Sequence, residues 1–148
     1  MRTQAEYIGE VFLHVSTLKT EDEKIKYLRS VQSLPLLKIL EFAYSDKYTT
    51  SYTDIPEYEP DDSPIGYSYS GLHKEYSRIP YFMNTDSYIR SDKIRNKKLK
   101  NILEIINWTE SPILEAVILK KDLPHISKDL AMKAFPHIFG EQDGQKLS

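Results

Sequence analysis

The stretch "TEDEKIKYLRSVQSLPLLKILEFAY", residues 20–44, decides the fold class. Apolar side chains recur in it at spacings of three and four: Ile25, Leu28 and Val31, then Leu36, Leu37, Leu40, Ala43 and Tyr44. That period belongs to one face of an α-helix and not to the alternation of a strand. The stretch also carries its own start signals. Thr20 and Glu23 have the spacing of a capping box, in which hydroxyl and carboxylate each satisfy a helix-end amide. Ser33 can cap a second helix, and Pro35 is tolerated in that helix's first turn, where its missing amide would have no partner anyway.

Working outward, the same grammar repeats. In "TQAEYIGEVFLHVSTL", Ile8, Val11, Phe12, Val15 and Leu18 share a face, with Thr3 and Glu6 as a capping box. "SGLHKEYSRIPYFM" sets Leu72, Tyr76 and Ile79 together, and Pro80 should kink or end that helix. "SDKIRNKKLKNILEIINW" places Ile94, Leu99, Ile102, Leu103 and Ile106 in an inward stripe behind a Ser91 cap. "TESPILEAVILKK" follows, capped by Thr109 or Ser111, with Lys120 and Lys121 near its negative end. Ser127 caps "KDLAMKAF", and the chain from Gly140 reads as a flexible polar tail. The expectation is a mainly α single domain over residues 1–139, built from six or seven short helices.

Residues 45–70 break this pattern. Tyr48, Tyr52, Tyr58, Tyr67 and Tyr69 alternate with small polar residues, Pro56, Pro60 and Pro64 punctuate them, and acids accumulate at Asp54, Glu57, Glu59, Asp61 and Asp62. "TTSYTDI" allows one short strand pair, but prolines lack the amide a ladder needs, so the segment should be mostly irregular. Irregular segments of this length are uncommon and usually functional or disordered. Five tyrosines favour an ordered wrap, because each ring can be buried while its hydroxyl stays wet.

Composition narrows the function classes. The 148 residues carry 40% apolar and 28% charged side chains and a net charge of −2, which opposes whole-surface attraction to nucleic acid or anionic lipid. Cysteine is absent, which removes disulfides, thiolate metal sites and a cysteine nucleophile. No run approaches the roughly 18 apolar residues of a membrane span, and Glu6 and Glu10 stand where a signal peptide needs an apolar core. A cytoplasmic protein without a membrane partner is expected.

Catalytic and metal motifs are missing in informative ways. The acidic run lacks the EF-hand spacing and its central glycine, and no His-x-x-x-His pair exists. Gly66 and Gly71 around Ser68 and Ser70 are one residue too far apart for a nucleophile elbow, so a turn into the next helix is expected. No glycine-rich phosphate loop is present. His14 and His73 have no carboxylate and nucleophile at informative spacing. The tripeptide Pro-His-Ile occurs at 124–126 and 136–138. Its histidines bracket about eight helical residues, roughly 12 Å, which is too far for a joint site. Ile126 and Ile138 are instead expected to pin the ends of the last helix, with Leu130, Ala134 and Phe135 between them. No catalytic, cofactor or metal residues are assigned.

"LKTEDEKIKYLRS", "PEYEPDDSPIGYSYSGLHKEYSRIPYF", "LKNILEIIN" and "AVILKKDLPHISKDLAMKAFPHIF" follow one another at a characteristic spacing. In that order they resemble a family of small proteins of contractile-tailed bacteriophages, including cyanophages, over about residues 5–139. The match departs at His137, where glycine is expected after the last proline. The resemblance implies a phage origin and the cytoplasm of an infected bacterial host, and brings no functional residues with it.

Two binding surfaces remain. The Tyr/Pro segment, with Tyr52, Tyr58, Tyr67 and Tyr69, has the amphipathic rings of a protein interface, or alternatively covers the helical core. Lys93, Lys97 and Lys100 line up on the 90–100 helix and offer a track for phosphates, or else form an ordinary solvated face. The favoured expectation is a non-enzymatic phage accessory protein that binds a host or phage protein in the replication or transcription programme. The alternative is direct nucleic-acid binding through the basic helix.

Overall fold

The computed structural model describes residues 7–83 and 92–139. The Thr3–Glu6 capping box, the Ser91 cap and the tail from Gly140 lie outside them. Among the described residues there are seven α-helices: α1 (Ile8–Thr17), α2 (Glu21–Ser30), α3 (Leu34–Tyr44), α4 (Leu72–Glu75), α5 (Asp92–Ile105), α6 (Ser111–Leu119) and α7 (Lys128–Ala134). A 3-10 helix, Tyr76–Phe82, continues α4 and carries Pro80 inside it. The proline therefore neither ends the segment at once nor kinks a long α-helix. The tighter winding absorbs it over a short run.

Local signals place three of the starts, those of α2, α3 and α7. The Thr20 side chain accepts from the Glu23 amide while the Glu23 carboxylate returns to the Thr20 amide, completing the box. Ser33 accepts from the Leu36 amide, and Ser127 from that of Leu130. α1, α4 and α6 begin without a side-chain cap, and at α6 the expected caps fail. Neither Thr109 nor Ser111 caps it; Glu110 stands at the cap position and makes no cap bond of its own.

α3 is the hub and packs against α4, the 3-10 helix and α6, while α2 lies along α7 and α5 along α6. Leu28, Leu36, Ile39, Leu40, Leu72, Leu99 and Leu103 are sealed from solvent. Each such side chain contributes about 1.5–3 kcal/mol of burial before chain entropy is set against it. One expected core position departs from the stripe: Ile94 is 49% exposed. It lies in the first turn of α5, ahead of the stretch from Leu99 onward that packs inward.

No strand ladder forms among the described residues. The expected strand over 49–55 is irregular, and the only bridge among the described residues joins Asp61 to Asn107. At the last helix, Ile126 is fully buried, but Ile138 is only partly so and the outer anchor is Phe139. His125 has a left-handed φ of 64°, and the Ile126 amide donates to the Pro124 carbonyl across it at 2.8 Å, a γ-turn. His125 and His137 are both exposed, so the repeated tripeptide serves the backbone at each end of α7.

Candidate functional site

The irregular segment is ordered by one short turn, residues 105–110, between α5 and α6. Asn107 is 5% exposed, and its amide group donates to Ser63 O at 2.8 Å and Ser68 Oγ at 3.1 Å. Its Oδ1 accepts from the Thr109 amide at 3.1 Å and the Thr109 hydroxyl at 2.7 Å. The backbone adds two ties: Trp108 N to Asp61 O and Ser70 N to Ile105 O, both 2.9 Å. Asp61 is held ionised below the usual carboxylate range by the Ser63 hydroxyl and amide. Residues 61–70 are thus fastened along the turn at both ends and in the middle.

Within this loop, Tyr67 N donates to Pro64 O at 3.0 Å, and Gly66 adopts φ +94°. This is a β-turn whose third residue needs the left-handed region, which glycine enters without penalty. The turn throws Tyr67 and Tyr69 outward, 78% and 85% exposed. Trp108, on the turn to which the loop is bonded, is 49% exposed.

The other two candidate interface tyrosines face the molecule. Tyr52 and Tyr58 pack against the core cluster. The Arg95 guanidinium sits 5.2 Å from the Tyr52 ring centre, and the Tyr58 hydroxyl donates to the Glu115 carboxylate. Burial, with that carboxylate beside it, pushes the Tyr58 hydroxyl up to about 12. The core-covering reading therefore holds for Tyr52 and Tyr58, while Tyr67 and Tyr69 stand at the surface.

Beneath the loop lies Glu110, 1% exposed. Its Oε2 accepts from Gly9 N at 2.9 Å and its Oε1 from Leu72 N at 2.8 Å. These are first-turn amides of α1 and α4, so one carboxylate joins helix starts that are remote in sequence. Close approach is required at Gly9: a Cβ there would lie 2.1 Å from Thr109 Oγ1. Desolvation raises the Glu110 pKa, while the amides pull the other way. Glu110, Asn107 and His73 border a polar cavity of ≈ 180 Å³ under the loop, with Ser68 and Ser70 in its wall. Both serines are hydrogen-bonded within the protein, Ser68 to Asn107 and Ser70 to Glu75.

On α5, Lys93, Lys97 and Lys100 are all exposed. Lys100 approaches Glu104 at 4.0 Å, which dilutes the proposed phosphate track. Lys97 and Lys98 join Arg78 around a groove of ≈ 650 Å³ that includes Phe82, Ile94 and Ile102. The acids Asp54, Glu57, Glu59 and Asp62 are exposed. No group of three potential metal ligands forms among the described residues, and no described helix is long and apolar enough to cross a membrane.

Sequence reasoning missed Glu110, Asn107 and Trp108. Asn107-x-Thr109 is a local signal, because an Asn oxygen accepting two residues on is a common turn device. Glu110 leaves no local signal, since its partners are 101 and 38 residues away. No protein-family model matches the chain, and no curated protein matches it.

Proposed function

We propose that this chain is a non-enzymatic accessory protein that works by binding another protein. Its setting would be the replication or transcription programme of a contractile-tailed bacteriophage, in the cytoplasm of the infected host. One observation carries the binding reading. Six large apolar side chains are substantially exposed among the described residues, and three of them, Tyr67, Tyr69 and Trp108, come from two segments bonded to each other. Aromatic rings on a pinned backbone lose little entropy on association and are the side chains that dominate interface energetics. The adjoining segment carries Asp46, Asp54, Glu57, Glu59, Asp61 and Asp62 against the single cation Lys47, which favours a partner with a basic surface.

Affinity purification from infected cells, half the sample treated with nuclease, tests this. A specific protein should be retained in both halves and lost when Tyr67, Tyr69 and Trp108 are all replaced by Ser. Recovery of no specific partner counts against the reading.

The groove bordered by Arg78, Lys97 and Lys98 favours a second reading, nucleic-acid binding. It requires salt-sensitive retention on DNA or RNA that is abolished by Lys93→Glu, Lys97→Glu and Lys100→Glu together. Binding unchanged in that variant removes this surface.

A further inference from the structure

We infer that the groove between α5 and the 3-10 helix is a docking site for an acidic amphipathic helix of another protein. It shares no residue with the Tyr67, Tyr69 and Trp108 patch, so it goes beyond the binding reading above and does not depend on it. Two helix faces build the groove. On α5, Ile94, Lys97, Lys98, Asn101 and Ile102 follow at i, i+3, i+4, i+7 and i+8, the spacing of a single face. Across from them on the 3-10 helix stand Arg78, Tyr81 and Phe82. The space between is ≈ 650 Å³, within the ~300–1,000 Å³ of pockets that take sizeable ligands. From Ile94 to Ile102 the α5 face runs about 12 Å at ~1.5 Å per residue, which matches two turns of a partner helix.

The lining combines two properties. Its floor is apolar: Phe82 and Ile102 are buried beneath it, Ile94 is 49% exposed, and Tyr81 is set edge-on to Phe82 with ring centres 5.0 Å apart. Its rim is cationic. Lys97 and Lys98 are exposed and make no ion pair among the described residues. Arg78 meets Glu75 at 3.2 Å, a contact that steadies the guanidinium and leaves most of its donors open. Asn101 adds an exposed amide that both donates and accepts. No carboxylate lies in the described lining, so the groove is positive on a chain whose net charge is −2.

That reversal of charge selects the partner. An acidic helix sets carboxylates against Arg78, Lys97 and Lys98 while its apolar side chains cover Ile94 and Tyr81. Helix-in-groove recognition works through such apolar anchors at i, i+3 and i+4. Nucleic acid matches this groove less well. Its affinity grows with the number of phosphates neutralised, yet Lys93 and Lys100 lie outside the lining and Lys100 approaches Glu104 at 4.0 Å. The apolar floor would meet phosphates and sugars, and would gain nothing from being covered by them.

Selection by the intact chain from a bead-displayed library of random twelve-residue peptides tests the site. Retained sequences should converge on Asp or Glu flanking large apolar residues at helical spacing. The most enriched peptide, fluorescein-labelled, should bind saturably in an anisotropy titration, and more weakly as salt is raised. Lys97→Gln with Lys98→Gln should weaken it about tenfold, and Ile94→Ser by about as much. All three positions are exposed, so neither variant disturbs the core. A third variant, with Tyr67, Tyr69 and Trp108 replaced by Ser, should bind the peptide like the wild type, which separates this groove from the aromatic patch. Convergence on basic or uncharged sequences, or on none, would overturn the proposal. So would binding unchanged in both groove variants or lost in the third. Labelled DNA that binds the wild type and weakens in Lys97→Gln with Lys98→Gln, with no acidic peptide enriched, would give the groove to nucleic acid instead.

Discussion

At the scale of single residues, Glu110 ties together the starts of two helices. Its two oxygens each take an amide that would otherwise be buried without a partner at a helix start. Glu110→Gln keeps the shape but turns an NH2 toward one of those amides, so two donors meet. The expected loss is about 1–3 kcal/mol in urea unfolding, and an unchanged midpoint would contradict the clamp. Tyr58 makes a second residue-level case. Its hydroxyl, raised to about 12 by burial and by the Glu115 carboxylate, should ionise late, well above the ordinary tyrosine value of 10, in a spectrophotometric titration. The sign follows directly: the Tyr58 contribution is complete below pH 10 and is lost as pH rises through about 12. Tyr58→Phe should delete the late step. Neither role was legible from the residues alone, because "NWTESP" and "PEYEP" carry no mark of partners dozens of positions away. Tyr44 is similar. Its helical spacing places it on the core face, yet its hydroxyl also donates to Ile126 O at 2.5 Å and accepts from Leu123 N at 2.9 Å.

At the scale of elements, local caps account for the starts of α2, α3 and α7. The Thr20–Glu23 box and the Ser33 and Ser127 caps act over three residues, the range that sequence spacing reports. Helix ends closed by remote groups escape that reading. Lys120, expected near the end of its own helix, donates from Nζ to Phe42 O at 3.1 Å and Ser45 O at 2.9 Å, closing α3 instead. Arg29 on α2 does the same for α7, donating to Ala134 O at 2.9 Å and Lys133 O at 3.1 Å. The link into α7 turns on His125, whose φ of 64° disfavours any side chain with a Cβ. His125→Gly should therefore raise stability by about 1 kcal/mol, offset in part by the greater freedom of the unfolded chain. A lower melting temperature in that variant would show that the imidazole, not the backbone, matters at this position.

At the scale of the molecule, the helices converge on a clamp whose charge state feeds back on the whole fold. Desolvation raises the folded pKa of Glu110 above its ordinary 4.5. The native state then holds its proton more tightly than the unfolded chain. The Glu110 contribution is accordingly full below about pH 4.5 and declines as pH rises through the folded value. Asp61 works in the opposite sense, with a lowered pKa whose contribution is lost as pH falls below 3.8. The difference in unfolding free energy between the wild type and Glu110→Gln should thus shrink as pH is raised from 4.5, measured by urea titrations at a series of pH values. A difference that grows with pH would reverse the assignment.

The sequence by itself determined the helical class, most of the core stripes and the caps of α2, α3 and α7, because helical periodicity and capping act over a few residues and leave their trace locally. Only the tertiary structure decided the rest. It divided the tyrosines into Tyr52 and Tyr58 inside and Tyr67 and Tyr69 outside, and it moved Ile94 to the surface. It also brought Glu110, Asn107 and His73 around one cavity. Those outcomes depend on which segments meet across many tens of residues, and a hydrogen bond or a buried ring carries no record in its own neighbourhood of the distant group that completes it.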